Sequence, residues 1–273
     1  MELLICGTGA AEAIPALFCP CRVCQTARER GGKEVRSRTG YMLGERIRID
    51  LCPDTNLHAQ KYDLALEKLE HLLITHAHWD HWVPDELLWR SPEFSQVPEE
   101  ATLHIYGNAV VREGLDRVTK GDYTRFRLAF HEIEPFRSFS LPDGVTATPL
   151  PAAHDRTQLC VNYLLQVKGK TILQGHDTGW YEDETWEFLS GQVLDVVLLD
   201  STSGRLNVNR GHLGAHWVVR ARDHLLKLGA LAADCRFFAT HFSHNGGWLH
   251  TDLEAYYGPR GIEVAYDGLR LIL

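Results

Sequence analysis

Four side chains that can bind a metal ion stand together at the end of one apolar segment. Residues 73–75 have the character of a buried strand, and His76, His78, Asp80 and His81 follow directly. Imidazole nitrogen and carboxylate oxygen suit zinc and manganese, and a strand that ends in a loop can turn alternate side chains toward one point. The loop therefore offers positions for two ions. Because four ligands do not complete two sites, the chain must fold so that other histidines or aspartates reach this loop.

Three further ligand candidates each follow a segment that has the pattern of a strand. They are His154 after residues 147–153, Asp177 after residues 171–176, and His241 after residues 236–240. His176 adjoins Asp177 and is an alternative ligand at the same point. Asp177 is the preferred one, because a carboxylate has the two oxygens that a bridge between two ions requires.

The order of these residues resembles the metallo-β-lactamase superfamily, whose members carry His-x-His-x-Asp-His and then His, Asp and His on successive loops. The resemblance spans nearly the whole chain and implies an α/β fold, a four-layer αβ/βα sandwich, as one domain over residues 1–273. It also implies the ligand sets, which are His76, His78 and His154 for the first ion, Asp80, His81 and His241 for the second, and Asp177 as the bridge. With Asp80 present, the second site resembles that of the phosphodiesterases, glyoxalase II and the transfer-RNA 3′-end nuclease of this superfamily.

Three cysteines near the N-terminus form a second cluster. Cys19, Cys21 and Cys24 can converge on one tetrahedral ion, and zinc binding favours their thiolate form. His244, close behind the last ligand candidate, is the expected fourth ligand. A disulfide is the alternative, and it would require an oxidising compartment. Together with the Gly-Thr-Gly turn at residues 7–9, the cluster resembles the PhnP-like phosphodiesterases of the carbon-phosphorus lyase pathway, in which such residues hold a structural zinc ion.

Two residues between Asp177 and His241 match positions that carry a histidine and an arginine in PhnP-like enzymes. His212 stands where that group has a histidine near the leaving group, and Arg210 stands where it has an arginine. The resemblance implies that His212 is a catalytic proton donor and that Arg210 binds substrate, with Asp80 catalytic as a metal ligand. The alternative for His212 is a solvent-facing residue at the start of a helix.

Charge limits the class of substrate. The 273 residues carry a formal net charge of −8 without a block of lysine or arginine, which disfavours long nucleic acid. Two divalent ions reverse the local sign and allow a small anion. We therefore expect a dinuclear-metal hydrolase, with two zinc or manganese ions and one structural zinc, that acts on a small phosphodiester such as a cyclic ribose phosphate or a nucleotide. A thioester or lactone hydrolase, or a non-catalytic protein similar to a member of the pyrroloquinoline quinone pathway, is the alternative.

The remaining features concern location and assembly. The sequence has no charged and apolar leader and no long apolar run, so a cytoplasmic protein without membrane contact is expected. Cys6, Cys52, Cys160 and Cys235 have apolar or strand-like neighbours and are expected to be buried. A homodimer is compatible with the sequence.

Periodicity and turn residues predict the secondary structure. Strands are expected at residues 2–6, 46–51, 72–75, 103–106, 145–150, 159–167, 171–174 and 193–199. Helices are expected at residues 62–69, 84–89, 182–189 and 213–228. Gly169-Lys170 and Asp267-Gly268 are typical of hairpin turns, the second of which would join residues 262–265 to residues 269–273.

Overall fold

Two mixed sheets of seven strands each form the centre of the molecule. The computed structural model describes residues 1–273, and its strands are β1 (Glu2–Gly7), β2 (Gly40–Leu43), β3 (Ile47–Ile49), β4 (His71–Leu73), β5 (Leu103–Gly107), β6 (Leu128–Glu132), β7 (Phe139–Ser140), β8 (Thr146–Pro151), β9 (Val161–Val167), β10 (Lys170–Gly175), β11 (Leu194–Asp200), β12 (Leu231–Thr240), β13 (Glu263–Val264) and β14 (Leu269–Ile272). The first sheet has the order β14-β1-β2-β3-β4-β5-β6, and the second has the order β13-β12-β11-β10-β9-β8-β7. The first part of the chain thus supplies one sheet and the second part the other, except that β14 returns to the first.

Helices cover the outer face of each sheet. They are α1 (Arg22–Arg30), α2 (Thr55–Tyr62), α3 (Ala109–Thr119), α4 (Asp183–Ser190), α5 (Ala215–Lys227) and α6 (His250–Tyr257). Val111 and Leu115 of α3 pack on the first sheet, and Val218 and Leu225 of α5 pack on the second, each pair at helical spacing. A third apolar layer lies between the sheets. The predicted four-layer α/β sandwich is confirmed. No helix in the structure is long and apolar enough to cross a lipid bilayer.

The strands that precede the ligand candidates end at one edge of the sandwich. β3 and β4 run parallel in the first sheet, and β10, β11 and β12 run parallel in the second. β8 has the same direction as β10, because both are antiparallel to β9. Loops that follow the carboxyl ends of these strands therefore meet, as ligand-binding loops do in other α/β folds.

The loop after β1 runs beside the loop after β12. The carbonyl of Thr8 accepts a hydrogen bond from Phe242 N at 2.7 Å. A Cβ atom at Gly7 would lie 2.0 Å from the carbonyl oxygen of Arg38, so only glycine allows this close approach. The Gly-Thr-Gly segment therefore passes next to His241.

The prediction of a helix at residues 62–69 is wrong. Helix α2 ends at Tyr62, Asp63 has a left-handed backbone with a φ of 55°, and Leu66–Lys68 form a single 3-10 turn. The apolar residues in this segment pack on the outer face of the first sheet instead. Their spacing resembles that of a helix because the chain forms successive tight turns as it crosses that face. Residues 84–89 are also not an α-helix, since Pro84–Arg90 form a 3-10 helix.

The predicted terminal hairpin is wrong as well. β13 pairs with β12 and β14 pairs with β1, so the chain crosses from one sheet to the other at Asp267 and Gly268. The Asp267 carboxylate accepts hydrogen bonds from the backbone N and the hydroxyl of both Thr8 and Ser37. Asp267 and Gly268 therefore lie in a crossover between the two sheets, and hydrogen bonds to residues far away in the sequence stabilise it. The other predicted strands are present with ends shifted by at most two residues, and the turn at Gly169 joins β9 to β10.

Candidate metal centre

Three histidines from two loops converge on one point. His76 and His78 lie after β4, and His154 lies after β8. His78 Nδ1 is 3.0 Å from His76 Nε2 and 3.1 Å from His154 Nε2. Nitrogens at this spacing can share one ion at about 2.0 Å from each. The structure thus brings together the three residues that were predicted to hold the first ion.

A second group of four ligand candidates lies beside the first. Asp80, His81, Asp177 and His241 are all buried, and their ligand atoms lie within 4.8 Å of one another. His81 Nε2 is 3.0 Å from Asp80 Oδ2 and 2.6 Å from Asp177 Oδ2. His241 Nδ1 is 3.1 Å from Asp177 Oδ1. These are the four residues predicted for the second ion and the bridge.

Asp177 is in contact with both groups. Besides its neighbours in the second group, its Oδ2 lies 3.5 Å from His76 Nε2 and 3.9 Å from His154 Nε2. A carboxylate between two sets of nitrogens has the position that a bridging ligand needs. The geometry is compatible with the predicted assignment of ligands, which stays a prediction.

Unpaired polar atoms in the second group fit a metal ion. His81 Nε2, Asp177 Oδ1 and His241 Nε2 are buried and lack a hydrogen bond of normal geometry, and the nearest contacts of the first two, at 2.6 and 3.1 Å, are to other members of the group. A buried polar group without a partner costs about 1–3 kcal/mol, so three in one place call for an explanation. A divalent ion would satisfy all three atoms. Imidazole and carboxylate donors of this kind suit zinc or manganese.

Most of the candidate ligand imidazoles are oriented by a hydrogen bond at the ring nitrogen that does not face the other ligand candidates. His81 Nδ1 pairs with Asp50 Oδ2 at 2.8 Å, His154 Nδ1 with the carbonyl of Gly211 at 2.8 Å, His78 Nε2 with Asp155 Oδ2 at 3.1 Å, and His76 Nδ1 with the hydroxyl of Thr75 at 3.1 Å. Such bonds fix the tautomer and the direction of the ring, and they leave the second nitrogen for the ion.

Left-handed backbone turns three of the side chains into the centre. Asp50, Asp177 and His241 follow β3, β10 and β12 and have φ angles of 62°, 50° and 58°. Such angles are uncommon for residues other than glycine and cost on the order of 1–3 kcal/mol each. All three therefore carry strain at the same edge of the sandwich, where the surrounding packing maintains it.

Burial and neighbouring charges set the protonation states. Burial raises the pKa of Asp177, but His241 and His81 outweigh it and hold the pKa of that carboxyl well below its usual value. Burial lowers the pKa of His76 well below its usual range and the pKa of His241 to about 4. Burial also disfavours the charged form of His81, yet three nearby carboxylates raise its pKa well above the usual value. The three carboxylates near His81 attract a cation. A metal ion binds aspartate in its carboxylate form and histidine in its neutral form.

Sequence reasoning missed two carboxylates that support the site. Asp50 accepts hydrogen bonds from His81 and, at 2.9 Å, from His176 Nε2. Asp200, the last residue of β11, pairs with His212 Nδ1 at 2.9 Å. Each is a lone aspartate at a strand end, so the only signal in the sequence was that position. His176, the alternative to Asp177, is thus bonded to Asp50 and lies outside the ligand groups that contain Asp177.

His212 lies against the second group of ligands. Its Nδ1 is 3.4 Å from Asp177 Oδ1, and its side chain is 32% exposed. Burial disfavours the charged ring, but the Asp200 carboxylate outweighs it and raises the pKa of His212 to about 9. The alternative of a solvent-facing residue at a helix start does not describe this environment. Arg210 is exposed in the same loop, two residues earlier.

Among the ligand candidates, His78 is the most accessible to solvent. The side chain of His78 is 39% exposed, whereas those of His76, His81 and His241 are at most 2% exposed. Together with His212, His78 therefore marks the opening of the centre.

The cysteine cluster forms a separate group. Cys19, Cys21, Cys24 and His244 place ligand atoms within 4.8 Å of one another, and His244 Nδ1 is 3.5 Å from both Cys19 Sγ and Cys21 Sγ. Burial raises the pKa of Cys21, but hydrogen bonds from Cys24 N and the neighbouring side chains lower it to about 6. No cysteine forms a disulfide. Three thiols and one imidazole suit a tetrahedral zinc ion.

The other cysteines follow the sequence expectation in part. Cys6, Cys52 and Cys160 are buried, and Cys235 is only half-buried. Cys235 lies in the outer part of β12, which explains its exposure.

A four-layer sandwich with grouped histidines and aspartates at one edge is typical of a protein of the metallo-β-lactamase type. Residues 45–250 match the family described as Beta-lactamase superfamily domain. The chain belongs to this superfamily.

Curated relatives match only parts of the chain. It is 33% identical over 142 residues to ribonuclease Z from Listeria welshimeri, and this match covers 50% of the chain and 40% of that protein. The chain spans between 16% and 40% of the length of the first curated relatives that it matches.

Two solved structures share the fold over nearly its full length. A diphosphatase from the PhnP family has a TM-score of 0.76 at 22% identity, with 99% of this chain and 96% of that chain covered. Zinc-bound PqqB from Methylobacterium extorquens has a TM-score of 0.74 at 17% identity, with 100% of both chains covered. These likenesses establish the fold.

Proposed function

We propose that this protein is a dinuclear-metal hydrolase that acts on small phosphodiesters. The observation that carries the proposal is Asp177, which lies between two groups of ligands and next to His212. Similarity to ribonuclease Z and to a PhnP-family diphosphatase favours phosphorus over carbon as the reacting atom. Two zinc or manganese ions at these ligands would lower the pKa of a water molecule and draw charge from the phosphoryl oxygens.

The first group would hold one ion, the second group the other, and Asp177 would bridge them. The buried atoms without hydrogen bonds in the second group support this assignment. Asp80 contributes to catalysis as a ligand, because its carboxylate faces His81 rather than the opening.

His212 is the proposed proton donor to the leaving oxygen. Asp200 holds Nδ1 of the ring and favours its protonated form. The proton passes from the imidazolium to the departing alkoxide, which would otherwise leave with a full negative charge. General-acid catalysis of this kind increases the rate by a factor of roughly 10²–10⁴.

Arg210 is the proposed contact for the anionic remainder of the substrate. It is exposed in the loop that carries His212. A guanidinium can donate two parallel hydrogen bonds to phosphate oxygens, which orients the substrate as well as attracting it.

A small substrate is favoured over a long RNA. The net charge of −8 opposes the counterion release on which binding of long nucleic acid depends. The ions and a few side chains at the opening are enough to bind a compact diester.

The cysteine cluster is the proposed site of a structural zinc ion. Cys21 stands directly before α1, and His244 lies three residues after His241. An ion here would fasten α1 to the loop that carries a catalytic ligand.

Hydrolysis assays with a panel of chromogenic diesters, monoesters and thioesters, each with zinc and with manganese, test the proposal. We expect diesters to react at least about tenfold faster than the other classes, and Asp177→Ala to abolish this activity. Glu99→Ala, a change at an exposed carboxylate that pairs with Arg127, serves as the control and retains it. A thioester that reacts faster than every diester would contradict the proposal.

A further inference from the structure

An apolar hollow is lined in part by Trp79, which stands in the loop after β4. Its volume is about 630 Å³, and its other lining residues are Arg38 and members of residues 11–20, among them Cys19 of the cysteine cluster. Leu17, Phe18 and Trp79 are 77%, 97% and 60% exposed. Single exposed apolar residues are ordinary, but three around one hollow are typical of a binding site.

Trp79 connects this hollow to the proposed reaction centre. It stands in the ligand loop between His78 and Asp80, and His78 is the ligand most open to solvent. Trp79 is the exposed aromatic residue of this loop, so it is available to the remainder of a molecule whose phosphate lay at the ions.

Arg38 holds the indole ring of Trp79 in place. Its Cζ lies 5.0 Å from the centroid of the ring. The guanidinium is itself fixed by Asp54 at 3.1 Å and by the carbonyl of Ala11 at 2.7 Å. A cation over an aromatic ring stabilises it by cation–π attraction, so the exposed ring is pre-organised.

We propose that Trp79 is a stacking platform for the nucleobase of a nucleotide substrate, with Phe18 as a second aromatic residue that lines the hollow. The inference rests on the proposed phosphodiesterase function and specifies its substrate class as esters of nucleoside phosphates. The volume of the hollow is within the range of small-molecule sites, roughly 300–1,000 Å³. Every base has a flat π face, so the platform selects for a base without choosing among the four.

Direct binding to the metal-loaded chain tests the inference without turnover. Adenosine 5′-monophosphate and ribose 5-phosphate share the phosphate and the sugar, and only the first has a base. By calorimetry we expect the nucleotide to bind about 5- to 150-fold more tightly, which is the effect of stacking one base. Trp79→Ala should remove this preference, Trp79→Phe should keep most of it, and Phe18→Ala should weaken it.

Phe94→Ala is the matched control. Phe94 is an aromatic residue that is 65% exposed, and it packs against Trp89 outside the hollow. Its removal should leave the preference for the nucleotide unchanged. Equal affinity of the wild-type protein for the two ligands would overturn the inference.

A kinetic comparison separates this inference from the proposed function. Thymidine 5′-(p-nitrophenyl phosphate) and ethyl p-nitrophenyl phosphate have the same leaving group, and only the first has a base. Trp79→Ala should raise KM much more for the thymidine ester. An equal rise for both esters would assign Trp79 to the order of the ligand loop and overturn the inference.

Two further outcomes are informative. A preference for the nucleotide without turnover of either ester would refute the proposed function and support base recognition. A solution dimer that Phe18→Ala dissociates would assign the hollow to a second copy of the chain and overturn the inference.

Discussion

Two histidines of the site, His81 and His212, each form a hydrogen bond with one aspartate, and the surroundings of each pair determine which role the imidazole can have. Asp50 holds His81 and Asp200 holds His212 through the same kind of hydrogen bond, at 2.8 and 2.9 Å. His81 is fully buried with its other nitrogen against Asp177, whereas His212 is partly exposed at the opening. The same pairing therefore suits a metal ligand in the first case and a proton donor in the second.

The role of His212 predicts a dependence on the leaving group. We expect His212→Ala to slow hydrolysis roughly 10²–10⁴-fold for a diester that releases a poor alkoxide, and less than about tenfold for one that releases nitrophenolate. The reason is that a stable phenolate needs no proton in the transition state. Steady-state kcat/KM values on the two diesters measure the effect.

His216→Ala is the control for this comparison, because His216 is an exposed histidine on α5. It should leave both rates unchanged. Equal losses on both diesters in His212→Ala would assign His212 to binding or structure, and Arg210 and the ions would then have to stabilise the leaving group.

At the scale of elements, hydrogen bonds between the crossover and neighbouring loops fix the position of the loop that carries His241. Asp267 lies where the chain passes from β13 to β14, and it fixes the loop after β1 through Thr8 and the segment before β2 through Ser37. The loop after β1 in turn bonds to Phe242, the neighbour of His241. A change at Asp267 should therefore affect stability.

We expect Asp267→Ala to lower the free energy of unfolding by about 3–5 kcal/mol. The substitution removes the acceptors of four hydrogen bonds at a partly buried position and leaves two backbone N–H groups without partners. Chemical denaturation measures the change. Glu99→Ala, at an exposed ion pair with Arg127, should cost less than about 1 kcal/mol, and similar losses for both would refute this role.

The cysteine cluster gives a second prediction at this scale. Because structural zinc couples its binding energy to folding, Cys21→Ser should lower the melting midpoint by roughly 10 °C, about 3 kcal/mol. Cys235→Ser, at a half-buried cysteine outside the cluster, should have a much smaller effect. Thermal melts of both variants decide the matter, and equal shifts would speak against a structural ion.

For the whole molecule, sequence patterns predicted the layers and the grouped ligands. The segment before His76 and the strands near residue 170 were identifiable because their apolar patterns and turns are local. The crossover at Asp267 was missed because a turn sequence does not determine which sheet the next strand joins. Asp50 was missed because its role depends on a left-handed angle and on contacts across two sheets, which no spacing encodes.

The proposed ions would join the two sheets to each other. His76, His78, Asp80 and His81 come from the first sheet, whereas His154, Asp177 and His241 come from the second. Ligands from both parts of the chain therefore meet only in the folded protein. The same holds for the cysteine cluster, which brings the N-terminal segment to the loop after β12.

These groups predict three metal ions per chain, two in the centre and one at the cysteine cluster. Elemental analysis of protein purified without chelator should give a stoichiometry near three, and Cys21→Ser should reduce it to about two while it leaves the centre loaded. Asp177→Ala should instead lose metal from the centre and keep the zinc at the cysteines, because the two groups share no ligand. A stoichiometry near one, with Cys19 and Cys24 oxidised, would exclude the structural ion. Equal metal loss in both variants would show that the sites are not independent.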